Sequence, residues 1–302
     1  MRPQRAEAGL ASFLTIYVGV PFLGLICLLW TLVALPARAV LSRPAGAALG
    51  RQGISRGFRM YVNLLRFFGA YRFDLSALDA LGQERGVVIA PNHPSLIDAV
   101  VMLAAHRNMV CIMKTSLMRN IFLGAGARLA GFIGNTPPRR MIGEAVDALH
   151  GGAALLLFPE GTRTRHGPVN ALQLTVGAIA KHARAPVLTV FIETDSAYLS
   201  KGWPLFRVPV LPITYRVRLG RRFPPPSDVR EFTEELQAYF QGELADSPLG
   251  AWLPHLGPAT AGVPGADRAS GRETPAPRPA PSRPPASEVN RARASGARYP
   301  QR

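Results

Sequence analysis

The sequence predicts an α/β fold: a mostly parallel sheet flanked by helices, with an N-terminal membrane helix and a disordered C-terminal tail. Three observations predict it. Short apolar runs alternate with helical patterns in the middle of the chain, one long apolar run lies near the N-terminus, and the last part is rich in proline and arginine. Strands that alternate with helices favour a parallel sheet covered on both faces. The expected division is a membrane anchor and interfacial helix over residues 1–72, a central domain over 73–255 and a tail over 256–302.

The long apolar run covers residues 10–35 and contains no charged side chain. As a helix it would be about 39 Å long at roughly 1.5 Å per residue, against a hydrocarbon core of about 30 Å. It is longer than the roughly 7–15 apolar residues of a signal peptide, so we expect an uncleaved anchor. Pro21 and Gly24 lie within the run and leave a re-entrant element open as the alternative to a span. More arginines follow the run than precede it, which places the central domain in the cytoplasm, at the inner membrane of a bacterium.

Residues 54–73 combine an apolar helical face with four arginines. Five apolar residues recur at steps of four and three, which predicts that they share one face of a helix: Ile54, Phe58, Tyr61, Leu65 and Phe68. The arginines favour an interfacial helix that is attracted to anionic headgroups. An ordinary helix that faces the core, with a solvated basic side, fits the same pattern equally well.

The central part contains five candidate strands and five candidate helices. The strands are predicted at 86–90, 109–113, 154–158, 187–192 and 213–219. The helices are predicted at 95–105, 116–130, 141–150, 171–182 and 228–241. Asp228 and Glu231 offer a capping box for the last helix. In such sheets chemistry tends to collect on loops beyond the carboxyl ends of the strands, and two polar motifs occupy such loops.

The first polar motif, NHPSLID at residues 92–98, directly follows the first predicted strand. Pro94 and Ser95 favour a helix start there, so that His93 lies in the turn and Asp98 about one helical turn further on. A carboxylate on one imidazole nitrogen fixes the tautomer and lets the other nitrogen accept a proton from a hydroxyl. A capping arrangement is the alternative, and Ser95 is a cap candidate first and a nucleophile second.

The second motif, FPEGTRTR at residues 158–165, follows the third predicted strand. Gly161 permits a positive φ or a close approach of the backbone, and Thr162 offers a hydroxyl. Arg163 and Arg165 supply planar forks suited to phosphate, and Glu160 can hold one of the two arginines in place. A β-turn with a solvated ion pair is the alternative for this motif taken alone.

The charge balance alone would suggest a nucleic-acid-binding protein. The 302 residues include 35 Lys and Arg against 19 Asp and Glu, a net charge of +16. Hydrophobic residues make up 48% of the chain, which requires a large buried core or a membrane. We therefore expect no nucleic acid partner and interpret the charge as a signature of a membrane surface and lipid headgroups, although a biased coding composition would also enrich arginine. Cys27 and Cys111 are too few for a disulfide framework or a zinc site, and no metal is expected.

The tail combines nine prolines and eight arginines with three acidic residues over residues 257–302. Such a composition cannot bury a core and predicts disorder. A solvated extension is expected, and contact with acidic lipid or nucleic acid is the alternative.

The spacing Asn-His-x4-Asp, followed by Phe-Pro-Glu-Gly-Thr-Arg, resembles the glycerolipid acyltransferase family, the membrane-bound lysophosphatidic acid acyltransferases and their relatives. The resemblance covers residues 50–220. It implies that an acyltransferase domain over 73–255 moves an acyl chain from acyl-CoA or acyl-carrier protein to a lipid hydroxyl, that of lysophosphatidic acid or a related lysophospholipid, without a cofactor. It implies that His93 is the general base and Asp98 its orienting carboxylate. It also implies that the acceptor's phosphate is held by Glu160, Gly161, Thr162 and Arg163.

Two departures from the family pattern concern the acceptor. Asn135 stands where the second block of the family usually has an arginine, with Arg139 and Arg140 four and five residues later, so these two arginines are added as candidate substrate-binding residues. The fourth block lacks its second proline. The runs at 113–117 and 201–203 resemble a bacterial branch associated with specialised lipids, so an acceptor that is not a glycerophosphate is an alternative.

Two further functions remain as alternatives. A thioesterase would use Ser95 as nucleophile and His93 as base, but two residues of separation make that geometry awkward. A basic, membrane-tethered binding protein would explain the net charge but has no need of His93 and Asp98 at this spacing. The expected partners are a lipid acceptor, an acyl thioester donor and a membrane, and no oligomeric state is predicted.

Overall fold

The computed structural model describes residues 19–165, 167–204, 207–245 and 247, and within them a seven-stranded sheet in the order β1-β7-β6-β2-β5-β3-β4. The strands are β1 Tyr71–Asp74, β2 Val88–Pro91, β3 Met109–Met113, β4 Ile133–Gly134, β5 Ala154–Leu156, β6 Val187–Thr194 and β7 Ile213–Phe223. The helices are α1 Val20–Val40, α2 Arg43–Phe67, α3 Leu78–Leu81, α4 Ile97–Ala105, α5 Gly124–Leu129, α6 Pro138–His150, α7 Thr175–Ala183 and α8 Val229–Ala245. The predicted tail lies outside the described residues.

The sheet is parallel except where β6 meets β7. The four central strands, β6, β2, β5 and β3, run in one direction, so their carboxyl ends lie along the same edge. Every residue of β2, β5 and β6 is buried, as expected for strands that helices cover on both faces. The predicted α/β fold with a mostly parallel sheet is confirmed.

Two separate cores lie on the two faces of the sheet. Ile89 of β2 packs in the core that contains Phe58 of α2 and Met102 of α4. Its neighbour Val88 points the other way, into the core that contains Ile179 of α7 and Phe240 of α8. The alternation of side chains along a strand therefore divides the helices into two layers, with α1, α2 and α4 on one face and α6, α7 and α8 on the other.

Helix α1 is, within the described residues, the one helix long and apolar enough to cross a membrane. It covers most of the predicted anchor, whose first nine residues lie outside the described part. Pro21 lies in the first turn of α1, where a missing N–H costs nothing, so it does not interrupt the helix. One side of α1 packs on the domain, where Trp30 contacts Gly126 of α5 and Thr31 Oγ1 donates to the Phe122 carbonyl at 3.1 Å. The opposite side exposes large apolar side chains, Leu25, Leu28, Leu29, Leu32, Val33 and Leu35.

Helix α2 turns four residues of its predicted apolar face, Ile54, Phe58, Tyr61 and Leu65, into the core. The fifth, Phe68, was wrongly placed on that face, because α2 ends at Phe67 and the Phe68 side chain is exposed. On the same side Ser55 Oγ donates to the carbonyl of an α4 residue at 3.2 Å. Of the two interpretations of this face, these contacts therefore support the helix that faces the core.

Several predicted boundaries differ from the structure. The strand at 109–113 matches β3 residue for residue, whereas the single helix predicted at 116–130 is wrong. Asn120 interrupts that helix because its Oδ1 accepts from the backbone N–H groups of Phe122 and Leu123, at 2.8 and 3.3 Å. A 3-10 turn precedes the interruption and the short α5 follows it. Strands β1 and β4 were not predicted, since four and two residues carry too little pattern.

Candidate active site

The two polar motifs lie side by side at the carboxyl edge of the sheet. The first follows β2 and the second follows β5, and these two strands are parallel neighbours. The backbone N–H of Thr164, in the second motif, donates to the carbonyl of His93, in the first, at 2.7 Å. The sheet therefore brings together two segments about 65 residues apart in the chain, as parallel strands with crossover connections allow.

His93 and Asp98 form a hydrogen-bonded pair. His93 Nδ1 and Asp98 Oδ2 are 2.8 Å apart. Helix α4 begins at Ile97, so Asp98 lies in its first turn and reaches back to the imidazole, as predicted. Asp98 is fully buried, whereas the imidazole is 15% exposed. With Nδ1–H donating to the carboxylate, Nε2 is left as a proton acceptor.

Asp98 also receives two other hydrogen bonds. Its Oδ2 accepts from the backbone N–H of Ser95 at 2.7 Å, and its Oδ1 accepts from the Tyr215 hydroxyl at 2.7 Å. Burial and, after it, the charge of Asp98 raise the pKa of Tyr215 well above its ordinary value, so the hydroxyl stays protonated and donates. Three donors thus offset the desolvation of this buried carboxylate.

Phe158, the first residue of the second motif, stacks on the His93 ring. The two ring centroids are 3.9 Å apart and the planes are inclined by 21°. This contact restricts rotation of the imidazole about its own side chain. Phe158 is not among the predicted site residues, although it directly precedes the polar residues of the second motif in the sequence.

Glu160 holds the backbone of the site. Its side chain is buried, and its Oε1 accepts from the His93 backbone N–H and from Thr164 Oγ1, each at 2.8 Å. Its Oε2 accepts from the Asn170 backbone N–H at 2.8 Å. Burial raises the pKa of Glu160, and these hydrogen bonds oppose that rise. The expectation that Glu160 holds an arginine is wrong, since its contacts are backbone N–H groups and a hydroxyl.

Arg163 connects the second motif to the segment that follows β6. Its Nη1 donates to the carbonyls of Leu199 and Ser200, at 2.7 and 3.0 Å. Burial lowers the pKa of this guanidinium, and the charge of Asp98 acts in the opposite direction. One nitrogen of the predicted phosphate fork is therefore committed to backbone carbonyls, while Nε and Nη2 have no hydrogen-bond partner among the described residues.

Gly161 and Thr162 lie between these two residues. Gly161 has a φ of +64°, in the left-handed region that favours glycine, and its N–H closes a turn onto the Phe158 carbonyl at 3.0 Å. Thr162 Oγ1 accepts a hydrogen bond of 2.7 Å from Lys201 Nζ. The sequence does not predict this contact, because nothing in the run at 201–203 indicates that Lys201 meets the second motif.

Arg139 and Arg140 do not join this cluster. Both lie in the first turn of α6 and are exposed, and Arg140 Nε pairs with Glu144 Oε1 at 2.7 Å. Asn135, which replaces the arginine expected nearby, accepts from the backbone N–H of Thr115 at 3.1 Å. Asn135 thus ties the end of β4 to the end of β3.

The contacts of Ser95 are those of a structural residue. It is 3% exposed, and its Oγ donates to the Tyr198 carbonyl at 3.0 Å. Within the described residues its hydroxyl makes no hydrogen bond with His93, which is the contact that a nucleophile and its base require.

Comparisons with known proteins show what this chain resembles in sequence and in fold. Residues 72–193 match the model of the family described as Acyltransferase. The chain is 23% identical over 212 residues to a 1-acyl-sn-glycerol-3-phosphate acyltransferase of Pseudomonas aeruginosa, across 67% of this chain and 80% of that protein. Its fold is similar to the crystal structure of the 1-acyl-sn-glycerophosphate (LPA) acyltransferase PlsC from Thermotoga maritima, with a TM-score of 0.60 and 18% identity over 81% of this chain and 97% of that one. The predicted resemblance to the glycerolipid acyltransferases is therefore confirmed, and residues 72–193 are the part of the chain that matches the family model.

Proposed function

We propose that the chain transfers a fatty acyl group from an acyl thioester, acyl-CoA or acyl-carrier protein, to the hydroxyl of a lysophospholipid, first of all lysophosphatidic acid. The observation that carries the proposal is the 2.8 Å contact between His93 Nδ1 and Asp98 Oδ2, beside the FPEGTR loop. The Pseudomonas relative is named for the same acceptor class.

In the proposed reaction His93 acts as the general base. Its Nε2 takes the proton from the acceptor hydroxyl while that oxygen attacks the thioester carbonyl carbon. Collapse of the tetrahedral intermediate breaks the C–S bond, and the imidazolium returns the proton to the departing thiolate. Asp98 stabilises the imidazolium between these two transfers. No covalent enzyme intermediate is needed.

Positioning and proton transfer carry most of the rate enhancement in this scheme. The thioester is already an activated acyl group. Holding hydroxyl and carbonyl in reacting geometry contributes about 7–11 kcal/mol, and general base catalysis about 10²–10⁴-fold.

The turn at Gly161 supplies donors for the oxyanion of the tetrahedral intermediate. Before α4 two backbone N–H groups are already used, that of Ser95 by Asp98 and that of Leu96 by the Leu199 carbonyl. In the part of the chain that the structure describes, the N–H groups of Thr162 and Arg163 have no protein acceptor. They lie directly after the left-handed Gly161 and next to the His93 network, which is where preorganised donors are effective.

The membrane supplies the acceptor in this proposal. The outer side of α1 exposes a run of leucines, and Ile121 and Phe122, against which α1 packs, are also exposed, Ile121 by 69%. Burial of this apolar surface in a bilayer would hold the domain at the cytoplasmic surface of a bacterial inner membrane, where the lipid hydroxyl and a soluble thioester can meet.

A specialised lipid that lacks glycerophosphate is a second candidate acceptor. One observation favours it: Asn135 occupies the place of the expected arginine and is tied to Thr115, while Arg140 pairs with Glu144. In this version the chemistry at His93 is unchanged and only the recognition of the headgroup differs.

The test is an acyl transfer assay on washed membranes that contain the full chain. Acyl-CoA and acyl-carrier protein are each offered with lysophosphatidic acid, other lysophospholipids and non-phosphorylated lyso-lipids, and the products are identified by mass spectrometry. We expect diacyl product above the level of membranes without the protein, with lysophosphatidic acid preferred. Release of free fatty acid without any diacyl lipid would instead indicate a thioesterase and overturn the proposal.

A further inference from the structure

The segment after β6, residues 195–204, which we call the β6 loop, is fixed across both motifs. The Leu199 carbonyl accepts from the backbone N–H of Leu96 at 3.0 Å and from Arg163 Nη1 at 2.7 Å. The carbonyl before it, that of Tyr198, accepts from Ser95 Oγ at 3.0 Å. The β6 loop is therefore held by the first motif and the second motif at once.

Leu199 itself has a strained backbone. Its φ is +61°, in the left-handed region that a branched, bulky side chain rarely adopts. Such a conformation persists only where the surroundings over-determine it, and these positions concentrate at ligand sites. Here the two hydrogen bonds to the Leu199 carbonyl supply the constraint. The left-handed residue lies two positions before Lys201.

The β6 loop places Lys201 in contact with the second motif. Its Nζ donates to Thr162 Oγ1 at 2.7 Å, next to the left-handed Gly161. Partial desolvation lowers the pKa of Lys201, and the nearby cations Arg165, Lys114 and Arg163 lower it further. These cations come from separate segments, since Lys114 directly follows β3 while the two arginines belong to the second motif.

This cluster of four cations has no carboxylate partner among the described residues. None of Lys114, Arg163, Arg165 and Lys201 is in any of the ion pairs there. The acidic side chain of the second motif, Glu160, is already engaged by three donors. Like charges held together repel one another, and an anion bound between them converts that repulsion into attraction. The ammonium group of a lysine lies on a flexible side chain and can bind phosphate as a point charge.

We propose that Lys201 binds the anionic group of the acceptor's headgroup, with Thr162 and the neighbouring cations, and so selects anionic lyso-lipids. The inference rests on the proposed function, because it concerns the acceptor of that reaction. The anion is a phosphate monoester or a carboxylate, since either would be attracted to this cluster, and the experiment distinguishes the two.

The variants are Lys201→Met, Lys201→Arg and Lys181→Met in the full chain, assayed in membranes. Lys181 is the matched control, because it lies on α7 and donates to the Ser227 carbonyl away from the motifs. For lysophosphatidic acid we expect Lys201→Met to raise KM about 10–100-fold, the range that corresponds to loss of a charged hydrogen bond, and to change kcat less than about threefold. Lys201→Arg recovers most of the affinity, and Lys181→Met matches the wild type.

Three acceptors identify the anion: lysophosphatidic acid, a lyso-lipid with a carboxylate but no phosphate, and uncharged monoacylglycerol. A rise in KM for Lys201→Met confined to the phosphate acceptor assigns phosphate, and one confined to the carboxylate acceptor assigns carboxylate. An unchanged KM for both anionic acceptors, or an equal rise that includes monoacylglycerol, overturns the inference.

A binding measurement separates this inference from the proposed function. Purified wild-type chain and Lys201→Met are titrated with glycerol 3-phosphate and, in parallel, with glycerate by calorimetry. Weaker binding of either anion to Lys201→Met supports the role of Lys201 even if no acyl transfer is found, in which case only the proposed function fails. Equal binding of both anions to both proteins, or binding of neither, overturns the role of Lys201 whatever the transfer assay shows.

Discussion

The Tyr215 hydroxyl donates a 2.7 Å hydrogen bond to Asp98 Oδ1 from a residue 117 positions further along the chain. Asp98 uses its other oxygen for His93 and for the Ser95 backbone. The carboxylate that orients the imidazole is thereby fixed both from the turn that precedes its own helix, α4, and from the long strand β7. These donors explain how a carboxylate can be held fully buried beside the imidazole.

Removal of the Tyr215 hydroxyl is expected to slow the reaction without unfolding the chain. In Tyr215→Phe the ring keeps its packing against Phe73, with a centroid distance of 5.6 Å, while Asp98 loses one donor. A hydrogen bond to a charged group contributes about 1.5–3 kcal/mol, so we expect kcat to fall about tenfold or more with little change in KM. Kinetic assays and thermal unfolding of the same preparation measure this.

Tyr239→Phe, which removes a hydroxyl bonded to the Arg221 backbone, is the control and should keep the wild-type kcat. A Tyr215→Phe enzyme with wild-type kcat would show that Tyr215 does not position Asp98.

Replacement of Glu160 by glutamine is expected to reduce both stability and rate. The amide turns one acceptor oxygen into a donor, which then faces a backbone N–H of His93 or Asn170. A buried polar group left unpaired costs about 1–3 kcal/mol, and denaturant unfolding would show the loss. Glu144→Gln, in an exposed ion pair, should leave both stability and kcat unchanged. Wild-type stability and kcat in Glu160→Gln would mean that this carboxylate does not hold the site.

Removal of the Ser95 hydroxyl should leave acyl transfer in place. The Ser95 Oγ donates to the Tyr198 carbonyl, and we expect Ser95→Ala to lose less than about tenfold in rate, the equivalent of one neutral hydrogen bond. The assay compares initial rates and then treats wild-type chain with a labelled acyl thioester. Label retained on Ser95 after denaturation, together with inactivity of Ser95→Ala, would favour the thioesterase mechanism.

The start of α8 is expected to make stability depend on pH in the acid range. Hydrogen bonds from the backbone N–H groups of Glu231 and Arg230 lower the pKa of Asp228 below its ordinary value of 3.8. A carboxyl group with a depressed pKa stabilises the fold above its unfolded pKa and loses that contribution as the pH falls through its folded pKa. Thermal unfolding of wild type and Asp228→Ala should therefore differ at pH 7 and converge well below pH 3.8. A constant difference at all pH values would contradict the role of the ionised cap.

Local relationships in the site were predictable from the sequence. His93 and Asp98 are five residues apart, and a strand followed by a helix start brings residues at that spacing together. The edge on which the two motifs meet was also predictable, because strands that alternate with helices are parallel and end on the same side. The capping role of Asp228 followed from a spacing of three residues.

Contacts between distant segments could not be predicted in the same way. Tyr215 is one of several aromatic residues on apolar strands, and its contact with Asp98 depends on the pairing of β7 with both β6 and β1. The direction of Glu160 depends on the backbone of the loop around it, which turns its carboxylate inward to N–H groups. Lys201 contacts Thr162 from a loop in which Leu199 adopts a left-handed conformation, and no residue type there indicates that conformation.

The central claim, that His93 is the general base, is tested most directly by the initial rate of acyl transfer in His93→Ala. The assay uses the full chain in washed membranes, with acyl thioester and lysophosphatidic acid at saturation, and thermal unfolding shows that the variant is folded. His182→Ala is the control, since His182 is exposed on α7 and its ring contacts a backbone carbonyl of its own helix. We predict that His182→Ala keeps the wild-type rate and that His93→Ala loses at least about 100-fold, within the 10²–10⁴-fold range of general base catalysis. A folded His93→Ala chain that transfers acyl groups at near the wild-type rate would contradict the claim.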